Sequence, residues 1–509
     1  MARLPRSWAL APAVLSLCVG CRRASVSSSA APSASASADP APASASASAS
    51  PPDTAPKLLA LAWETPVRER PAEGARLIGG LRAGSVVTRG EAPVGRAGCA
   101  GGWYAVGDGY VCVEPSSATL DTQHPLARLL ARGPDRGRGL PYAYGIVRKQ
   151  GPLYSRLPTR KEAEREEGDL DARMREWLDA PGELGALFRP EIWSRDPRTA
   201  RALWDAQTTD VPPVFAGDKA FPGNLSGLTK DPGALVVGRT KRHNGLALVD
   251  TAVVDGRRYG ITTNLLVVPI DRLRPIEGSQ YHGVEIPRDI DFPFALIRRA
   301  GGASFREEGK QLVKVADLPR RAAIKLTGKQ KFFHKVLHFQ TEDGLWISDQ
   351  VASRLDPAKK MPRWGKKGER WLDVNVTKQT LVAYDGARAV YATLVSTGEA
   401  GLGDPEKSKS TKRGIFRVHT KHVAATMDSE TVGEEFELRD IPYVQYFEGG
   451  YALHAAYWHD DFGTPRSHGC INLAPEDARY LFDFTEPKVP EGFHTARRAL
   501  TGSVVFVHP

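Results

Sequence analysis

Cysteine is scarce in this chain, with five among 509 residues. That scarcity excludes a disulfide-dense scaffold, so each cysteine carries information. Cys18 and Cys21 lie in the N-terminal segment, which leaves Cys99 and Cys112 as a predicted disulfide pair in an oxidising compartment. Cys470 is then the odd cysteine, and in an exported protein such a residue is either an inert buried thiol or a reactive one.

A long apolar run is also missing from the N-terminus. The run from Trp8 to Val19 follows two arginines and is shorter than the roughly 20 apolar residues that cross a bilayer, so residues 1–21 are predicted to be a secretory signal. Its end, Gly20-Cys21, resembles a bacterial lipoprotein signal, which implies that Cys21 carries lipid after cleavage. Cys18 departs from the leucine usual in such signals, and simple secretion is the alternative.

Export places the protein in the periplasm or cell envelope and excludes nucleic acid as its main partner. Arg22 follows Cys21, where lipoproteins retained at the inner membrane often carry aspartate. A lipid-anchored chain of this kind is therefore expected at the outer membrane. The net charge of +10 and pI near 9.3 favour an anionic partner, and a membrane surface and an acidic cell-wall polymer both fit that sign.

Length and composition predict a multidomain protein. A chain of 509 residues has room for about three or four domains, and 41% hydrophobic with 25% charged residues is a normal globular balance. Residues 22–56 are the exception, because they are almost wholly Ser, Ala and Pro. Such composition cannot bury a core and predicts a disordered tether.

The residues after the tether favour small β-rich modules. Short β-rich runs broken by glycine occupy residues 57–120, where Trp103-Tyr104 and Gly109-Tyr110 resemble bacterial SH3-like small β-barrels. Cys99 and Cys112 would staple its last hairpin. Residues 121–365 repeat this pattern more weakly and predict one or two further SH3-like or β-rich modules, with a charged helical insertion near 160–210 whose charges form a solvated face. No chemistry is assigned to these modules.

Residues 366–509 are predicted to form another mostly-β domain. Two strands are expected around Asp385-Gly386, a strong hairpin signal, and "GIFRVHT" and "SVVFVHP" are further strands. "APEDARYLFDF" after Asn472 predicts a short helix, since Pro475 and two acids occupy its first turn. This helix lies directly behind Cys470.

Cys470 stands in "SHGCIN", within reach along the chain of three histidines. A thiol is mostly protonated at neutral pH, and a nearby imidazole can accept its proton to leave a nucleophilic thiolate. Gly469 permits a tight turn whose backbone N–H groups can face an oxyanion. Three alternatives remain on chemistry alone: Cys470 is an inert buried thiol, His454 is a core histidine, or a metal binds at a third set of side chains. That third set is His459, Asp460, Asp461 and His468.

"SHGCIN" behind an upstream "LH" strongly resembles the L,D-transpeptidase (YkuD-like) catalytic domain, and the resemblance covers about residues 368–509. It implies that Cys470 is the nucleophile and His454 its base, with His459 as the rival base. His468 and Gly469 are then expected to shape the turn and oxyanion site. Ser467 and Asn472 are expected to hold that loop by hydrogen bonds.

The sequence departs from the family pattern in three places. Thirteen positions separate His454 from Ser467, slightly fewer than usual, and Ala455 stands where many members have glycine or serine. "STKRGIFRV" replaces the usual "TPTGxF" strand. These departures bear on substrate preference more than on activity.

The resemblance implies an enzyme that cross-links peptidoglycan stem peptides through a cysteine thioester. It also implies acylation by carbapenem-type inhibitors and no need for a metal or organic cofactor. Basic residues near the site could face stem carboxylates or be solvated loop charges: Lys407, Lys409, Lys412 and Arg413. A hydrolase of the same fold (an L,D-carboxypeptidase) and a degenerate cell-wall-binding scaffold are the alternatives. A papain-like protease ranks last, because its cysteine precedes its histidine.

Overall fold

β-Strands are the main regular structure in the computed structural model, which describes residues 55–130, 133–173, 234–429, 436–498 and 500–509. The predicted signal peptide with Cys18 and Cys21, and the tether as far as residue 54, lie outside the described residues. Within these ranges, no helix combines the length and apolarity needed to cross a membrane. The predicted mostly-β, multidomain architecture is confirmed.

The first module, residues 57–119, is built from short antiparallel strands. Its strands are β1 Lys57–Ala60, β2 Glu64–Arg68, β3 Leu77–Arg82, β4 Val86–Thr88, β5 Trp103–Val106, β6 Gly109–Cys112 and β7 Ala118–Thr119. Cys99 and Cys112 form the predicted disulfide, which ties the loop before β5 to the end of β6. The SH3-like assignment of this module, and of those that follow, stays a prediction.

The second module, residues 125–276, contains more strands and two short helices. Its elements are α1 Pro125–Leu130, β8 Ala143–Val147, β9 Pro152–Tyr154, α2 Arg160–Glu167, β10 Val236–Arg239, β11 Gly245–Val254, β12 Arg257–Thr262, β13 Val267–Pro269, a 3₁₀ turn at Ile270–Arg272 and β14 Leu273–Ile276. Helix α2 begins at a capping box, because Thr159 and Glu162 satisfy each other's backbone N–H groups. The predicted insertion beyond residue 173 lies outside the described residues.

The sequence predicts that the charges of the helical insertion form a solvated face. In α2 this prediction is wrong for one residue, Glu167. Glu167 is buried, and its carboxylate accepts hydrogen bonds from Arg257, Arg272 and Tyr154. Arg257 in turn pairs with buried Asp271. A buried carboxylate needs such partners, so this helix is anchored to the module by its last residue.

The third module, residues 294–355, is a seven-stranded antiparallel sheet. Its strands are β16 Phe294–Ile297, β17 Gly302–Glu308, β18 Gln311–Leu318, β19 Ala323–Phe333, β20 Val336–Thr341, β21 Trp346–Ser348 and β22 Ala352–Leu355. The connecting segment before it contributes β15, Val284–Glu285, which pairs with a strand of the C-terminal domain. The third module is therefore attached to that domain by its own leading segment.

The C-terminal domain, residues 363–509, has two sheets and one long helix. Its elements are α3 Arg363–Lys366, β23 Arg370–Asn375, β24 Thr380–Asp385, β25 Arg388–Leu394, β26 Gly414–Arg417, β27 Thr420–Ser429, β28 Phe436–Glu448, β29 Tyr451–Ala455, β30 Ile471–Leu473, α4 Pro475–Phe484, β31 Thr495–Arg497 and β32 Val504–His508.

The hairpin at Asp385-Gly386 forms between β24 and β25 as predicted. The stretch before it holds two strands rather than one, because the chain turns at Gln379, which has a φ of 56°. Helix α4 forms as predicted and packs against β28 and β29. Leu453 of β29, Ile471 of β30 and Leu481 of α4 share one buried core, which fixes the strands on either side of Cys470.

One sheet continues across module boundaries. Strand β3 of the first module pairs with β31, and β11 of the second module pairs with β28. Glycines allow these approaches: a Cβ on Gly79 would lie 2.7 Å from the Thr495 carbonyl oxygen, and one on Gly245 would lie 2.2 Å from the Tyr457 hydroxyl oxygen. The described residues from 55 onward therefore form one compact unit.

Candidate active site

His454 and Cys470 are brought together by two parallel strands. In the pairing of β29 with β30, Leu453 lies opposite Ile471 and His454 opposite Asn472. Cys470 directly precedes β30 and is half-buried. The short chain between the two strands thus returns a cysteine to the neighbourhood of the upstream histidine, as the motif predicted.

The imidazole of His454 is oriented by the carbonyl of the next residue. Its Nδ1 lies 3.0 Å from the Ala455 backbone oxygen, so Nδ1 carries a proton and donates it in this hydrogen bond. Burial lowers the pKa of His454 to about 4, which keeps the ring neutral. A neutral ring protonated at Nδ1 has an unprotonated Nε2, which is the form a general base needs.

Among the described residues, Cys470 is the only cysteine outside a disulfide. Burial raises its pKa to about 11, with a backbone hydrogen bond involving Ala452 acting in the opposite sense. Its sulfur lies 3.7 Å from the Gly450 carbonyl oxygen, to which the thiol donates. Cys470 and His454 are therefore a neutral pair at rest, a thiol and an imidazole, rather than an ion pair.

The protonation of Cys470 can be followed by thiolate absorbance, as the difference between this chain and Cys470→Ala. Since the folded pKa is raised, we expect essentially no thiolate band at pH 7 and a rise only as the pH approaches and passes 10. In urea the same difference should appear about two pH units earlier, near the ordinary thiol pKa. A thiolate band persisting at pH 6 in the folded protein would contradict a neutral resting pair.

Ser467 and Gly469 hold the turn before the cysteine. Ser467 Oγ donates to the Cys470 carbonyl oxygen and accepts from the Gly469 N–H at 3.1 Å. Gly469 has a φ of 128°, and a Cβ there would lie 2.9 Å from a ring carbon of Tyr451. The glycine is therefore required by both backbone conformation and space. The side chain of His468 is exposed at this turn.

Gly469→Ala should lower the free energy of unfolding by about 1–3 kcal/mol, because alanine is strained at this φ and meets the Tyr451 ring. Urea unfolding of the purified chain measures it. Gly450→Ala is the matched control, since a Cβ there has no neighbour within 4 Å. Equal effects of the two substitutions would show that the turn tolerates a side chain.

Asn472 is held by His459 rather than by the turn. The Asn472 side-chain amide lies 2.8 Å from His459 Nε2, and His459 Nδ1 accepts from the Asp461 N–H at 3.2 Å. Since Nδ1 accepts, the His459 proton lies on Nε2, where the structure places the Asn472 Nδ2; exchanging the two nearly isosteric ends of the amide puts Oδ1 in that position and lets it accept the proton. Both ring nitrogens of His459 are thus engaged. This favours His454 over its rival as the base.

The carboxylates of the proposed metal set have arginine partners. Asp460 pairs with Arg321, and Asp461 pairs with Arg466 at 3.0 Å. Among the described residues, no cluster of three histidine, cysteine or acidic side chains is arranged to hold a metal ion. The loop between β29 and the turn is thus stabilised by ion pairs.

The loop that precedes β26 covers the turn. Gly398 bridges to Ser467, and the Tyr451 hydroxyl donates to the Pro405 carbonyl oxygen at 3.2 Å. Three lysines of this loop form ion pairs: Lys407 with Asp404 at 3.7 Å, Lys409 with Glu399 at 3.0 Å, and Lys412 with Glu448 at 2.9 Å. These ion pairs favour the interpretation that the lysines are loop charges rather than contacts for stem carboxylates.

Sequence reasoning missed the residues that hold Asp460. They are Arg320 and Arg321, about 140 positions upstream in the third module. No local motif marks them, because the contact arises only from the packing of that module against the C-terminal domain.

Comparison with known proteins identifies the C-terminal part of the chain. The L,D-transpeptidase catalytic domain (YkuD) family model matches residues 369–505. The putative L,D-transpeptidase YciB of Bacillus subtilis is 26% identical over 144 residues, which are 23% of this chain and 62% of that protein. L,D-transpeptidase 1 of Mycobacterium tuberculosis is 33% identical over 98 residues, which are 18% of this chain and 38% of that protein. The chain therefore spans less than two thirds of these relatives.

Solved structures of the same family also match. An L,D-transpeptidase from Mycobacterium smegmatis is 19% identical with a TM-score of 0.22, covering 35% of this chain and 68% of that one. The catalytic domain of an Enterococcus faecium L,D-transpeptidase is 21% identical with a TM-score of 0.21, covering 28% and 98%. The prediction of an L,D-transpeptidase catalytic domain at the C-terminus is confirmed by the family match at residues 369–505.

Proposed function

We propose that this protein is a peptidoglycan L,D-transpeptidase that joins stem peptides through a thioester on Cys470. The observation that carries the proposal is the His454 hydrogen bond to the Ala455 carbonyl, since it leaves Nε2 unprotonated on the strand beside the cysteine. The match of residues 369–505 to the catalytic domain supports the reaction class.

Acylation begins with proton transfer from the Cys470 thiol to His454 Nε2. The thiolate attacks the carbonyl of the third residue of a donor stem, and the oxyanion forms beside the turn at His468 and Gly469. Collapse of the tetrahedral intermediate breaks the peptide bond and forms the thioester. The imidazolium returns its proton to the departing amine of D-alanine.

Deacylation reverses these proton movements. An amine of a neighbouring stem attacks the thioester carbonyl and loses a proton to His454, while Cys470 leaves and recovers its proton as a thiol. The product is a cross-link between two stems. A buried, neutral His454 suits both halves of the reaction, because it can accept and return a proton without holding a permanent charge.

The anchor and location belong to the same proposal. An exported chain, lipidated at Cys21 and carried on the 22–56 tether, would present its catalytic domain to the cell wall. A carbapenem would acylate Cys470 by the same attack on a strained carbonyl. Two structural neighbours are an L,D-transpeptidase in complex with imipenem and another carrying a faropenem-derived adduct.

Incubation of the full chain with a disaccharide-tetrapeptide, followed by mass spectrometry, tests the proposal. A cross-linked dimer that is lost in Cys470→Ala is the expected result. A tripeptide product without dimer would make the protein a hydrolase. If neither product nor an acyl adduct on Cys470 appears, the cell-wall scaffold is the better description.

A further inference from the structure

Two arginines of the third module bind the loop that joins β29 to the cysteine turn. Arg320 and Arg321 lie between β18 and β19, and each donates through Nη2 to the Asp460 carbonyl oxygen, at 2.6 and 2.8 Å. Arg321 also forms an ion pair with the Asp460 carboxylate. The side chains of this pair are only 20% and 16% exposed. We call this set of contacts the arginine clasp.

A second contact reinforces the clasp from the connecting segment before the third module. The ring of Tyr281 stacks on Phe462 with centroids 6.2 Å apart, and its hydroxyl accepts from the Leu394 N–H at 3.0 Å. The Arg321 guanidinium lies 5.1 Å from the same Tyr281 ring. Residues upstream of the catalytic domain therefore hold two neighbouring positions of the loop, 460 and 462.

A short chain of hydrogen bonds connects the clasped loop to the reacting groups. Asp461, next to Asp460, donates its N–H to His459, and His459 contacts the Asn472 amide. Asn472 lies opposite His454 in the β29–β30 pairing and two residues from Cys470. A shift of the loop at Asp460 would thus reach β30, which directly follows Cys470, through groups that are already hydrogen-bonded.

The chemistry of the clasp favours positioning over stability. A partly buried ion pair gains little net free energy, because desolvation of both charges offsets their attraction. Two guanidinium groups on one carbonyl oxygen do, however, fix that carbonyl in place. The loop also has contacts with its own domain, from Ser396 Oγ to the Asp461 carbonyl and from the Gly463 N–H to the Val395 carbonyl, both at 2.9 Å.

We propose that Arg320 and Arg321 are positioning residues for the reaction at Cys470, so that the third module is a working part of the active site. They act through the loop, which keeps His459 and Asn472 in register with His454. This inference rests on the proposed acyl-transfer function. It assigns to the third module a role beyond any binding of the cell wall.

The test compares acylation of three variants of the full chain by a carbapenem, followed by intact-mass spectrometry over time. Arg320→Ala/Arg321→Ala removes the clasp, Arg321→Lys keeps a cation at its centre, and Arg354→Ala removes an ion pair with Asp356 elsewhere in the same module. Urea unfolding of each variant is measured in parallel. The maximal acylation rate and the carbapenem concentration at half that rate are determined separately.

We expect the double variant to lose about tenfold to a hundredfold in maximal acylation rate, since small misplacements of reacting groups have effects of that size. The half-saturating concentration and the unfolding midpoint should change little, and Arg321→Lys should recover part of the rate. Arg354→Ala should acylate as the unsubstituted chain does.

Equal rates in the double variant and in Arg354→Ala would overturn the positioning role. A rate loss that only follows the fall in the unfolding midpoint would overturn it too. If the double variant does not fold, the rate of Arg321→Lys decides between the two outcomes. Failure of the folded, unsubstituted chain to acylate at all would instead overturn the proposed function.

Discussion

Replacing His454 with glutamine should lower the rate of acyl-enzyme formation by about 10²–10⁴, the usual contribution of a positioned general base. The variant should also change the pH dependence. In the unsubstituted chain both groups are neutral between the His454 pKa of about 4 and the Cys470 pKa of about 11, so the rate should be nearly flat from pH 6 to 9. Without the imidazole, acylation depends on the thiolate fraction and should rise about tenfold per pH unit.

His459→Gln separates the two candidate histidines. His459 contacts Asn472 and Asp461, so its loss should lower the rate by less and leave the flat pH profile intact. If His459→Gln gave the steep profile and His454→Gln kept the flat one, the assignment of the base would have to be exchanged. Intact-mass kinetics with one acylating probe across the pH series supplies both measurements.

Asp440→Ala should be the most destabilising single substitution among those considered, at about 3–5 kcal/mol. The Asp440 carboxylate pairs with Arg82 of the first module and accepts from Thr263 of the second, while its backbone oxygen accepts from the Tyr144 hydroxyl at 2.6 Å. Alanine would leave the Arg82 guanidinium buried without a counter-charge. Alanine also tolerates the left-handed φ of 50° at this position less well than aspartate.

Urea unfolding measures this effect against a surface control. Asp483→Ala removes an exposed carboxylate 3.8 Å from Arg136 and should cost no more than about 1 kcal/mol. Asp440→Asn keeps the shape and the left-handed preference, and so isolates the contribution of the charge. A cost for Asp440→Ala no larger than that of Asp483→Ala would show that the three parts of the chain do not depend on this residue.

The site could be predicted from the sequence to the extent that its parts are close along the chain. The turn at Ser467–Cys470 and the helix behind it follow local rules, because glycine, proline and acidic residues act within a few positions. The orientation of His454 by the Ala455 carbonyl is equally local, since donor and acceptor belong to neighbouring residues.

What could not be predicted depends on contacts between residues that are far apart in the sequence. The hold on Asp460 comes from Arg320 and Arg321, and the burial of Glu167 comes from Arg257 and Arg272. These arginines look like ordinary surface charges in a basic sequence. Only the packed chain shows which of them meet a carboxylate, since sequence patterning does not encode distant pairing.

The sheet that runs from the first and second modules into the C-terminal domain limits how this protein can be dissected. Cutting the chain before residue 363 would uncover the backbone groups of β28 and β31 that now pair with β11 and β3. Exposed strand edges of that kind recruit other strands and promote aggregation. A truncated catalytic fragment should therefore be poorly soluble, and the upstream modules would not be exchangeable with those of another protein.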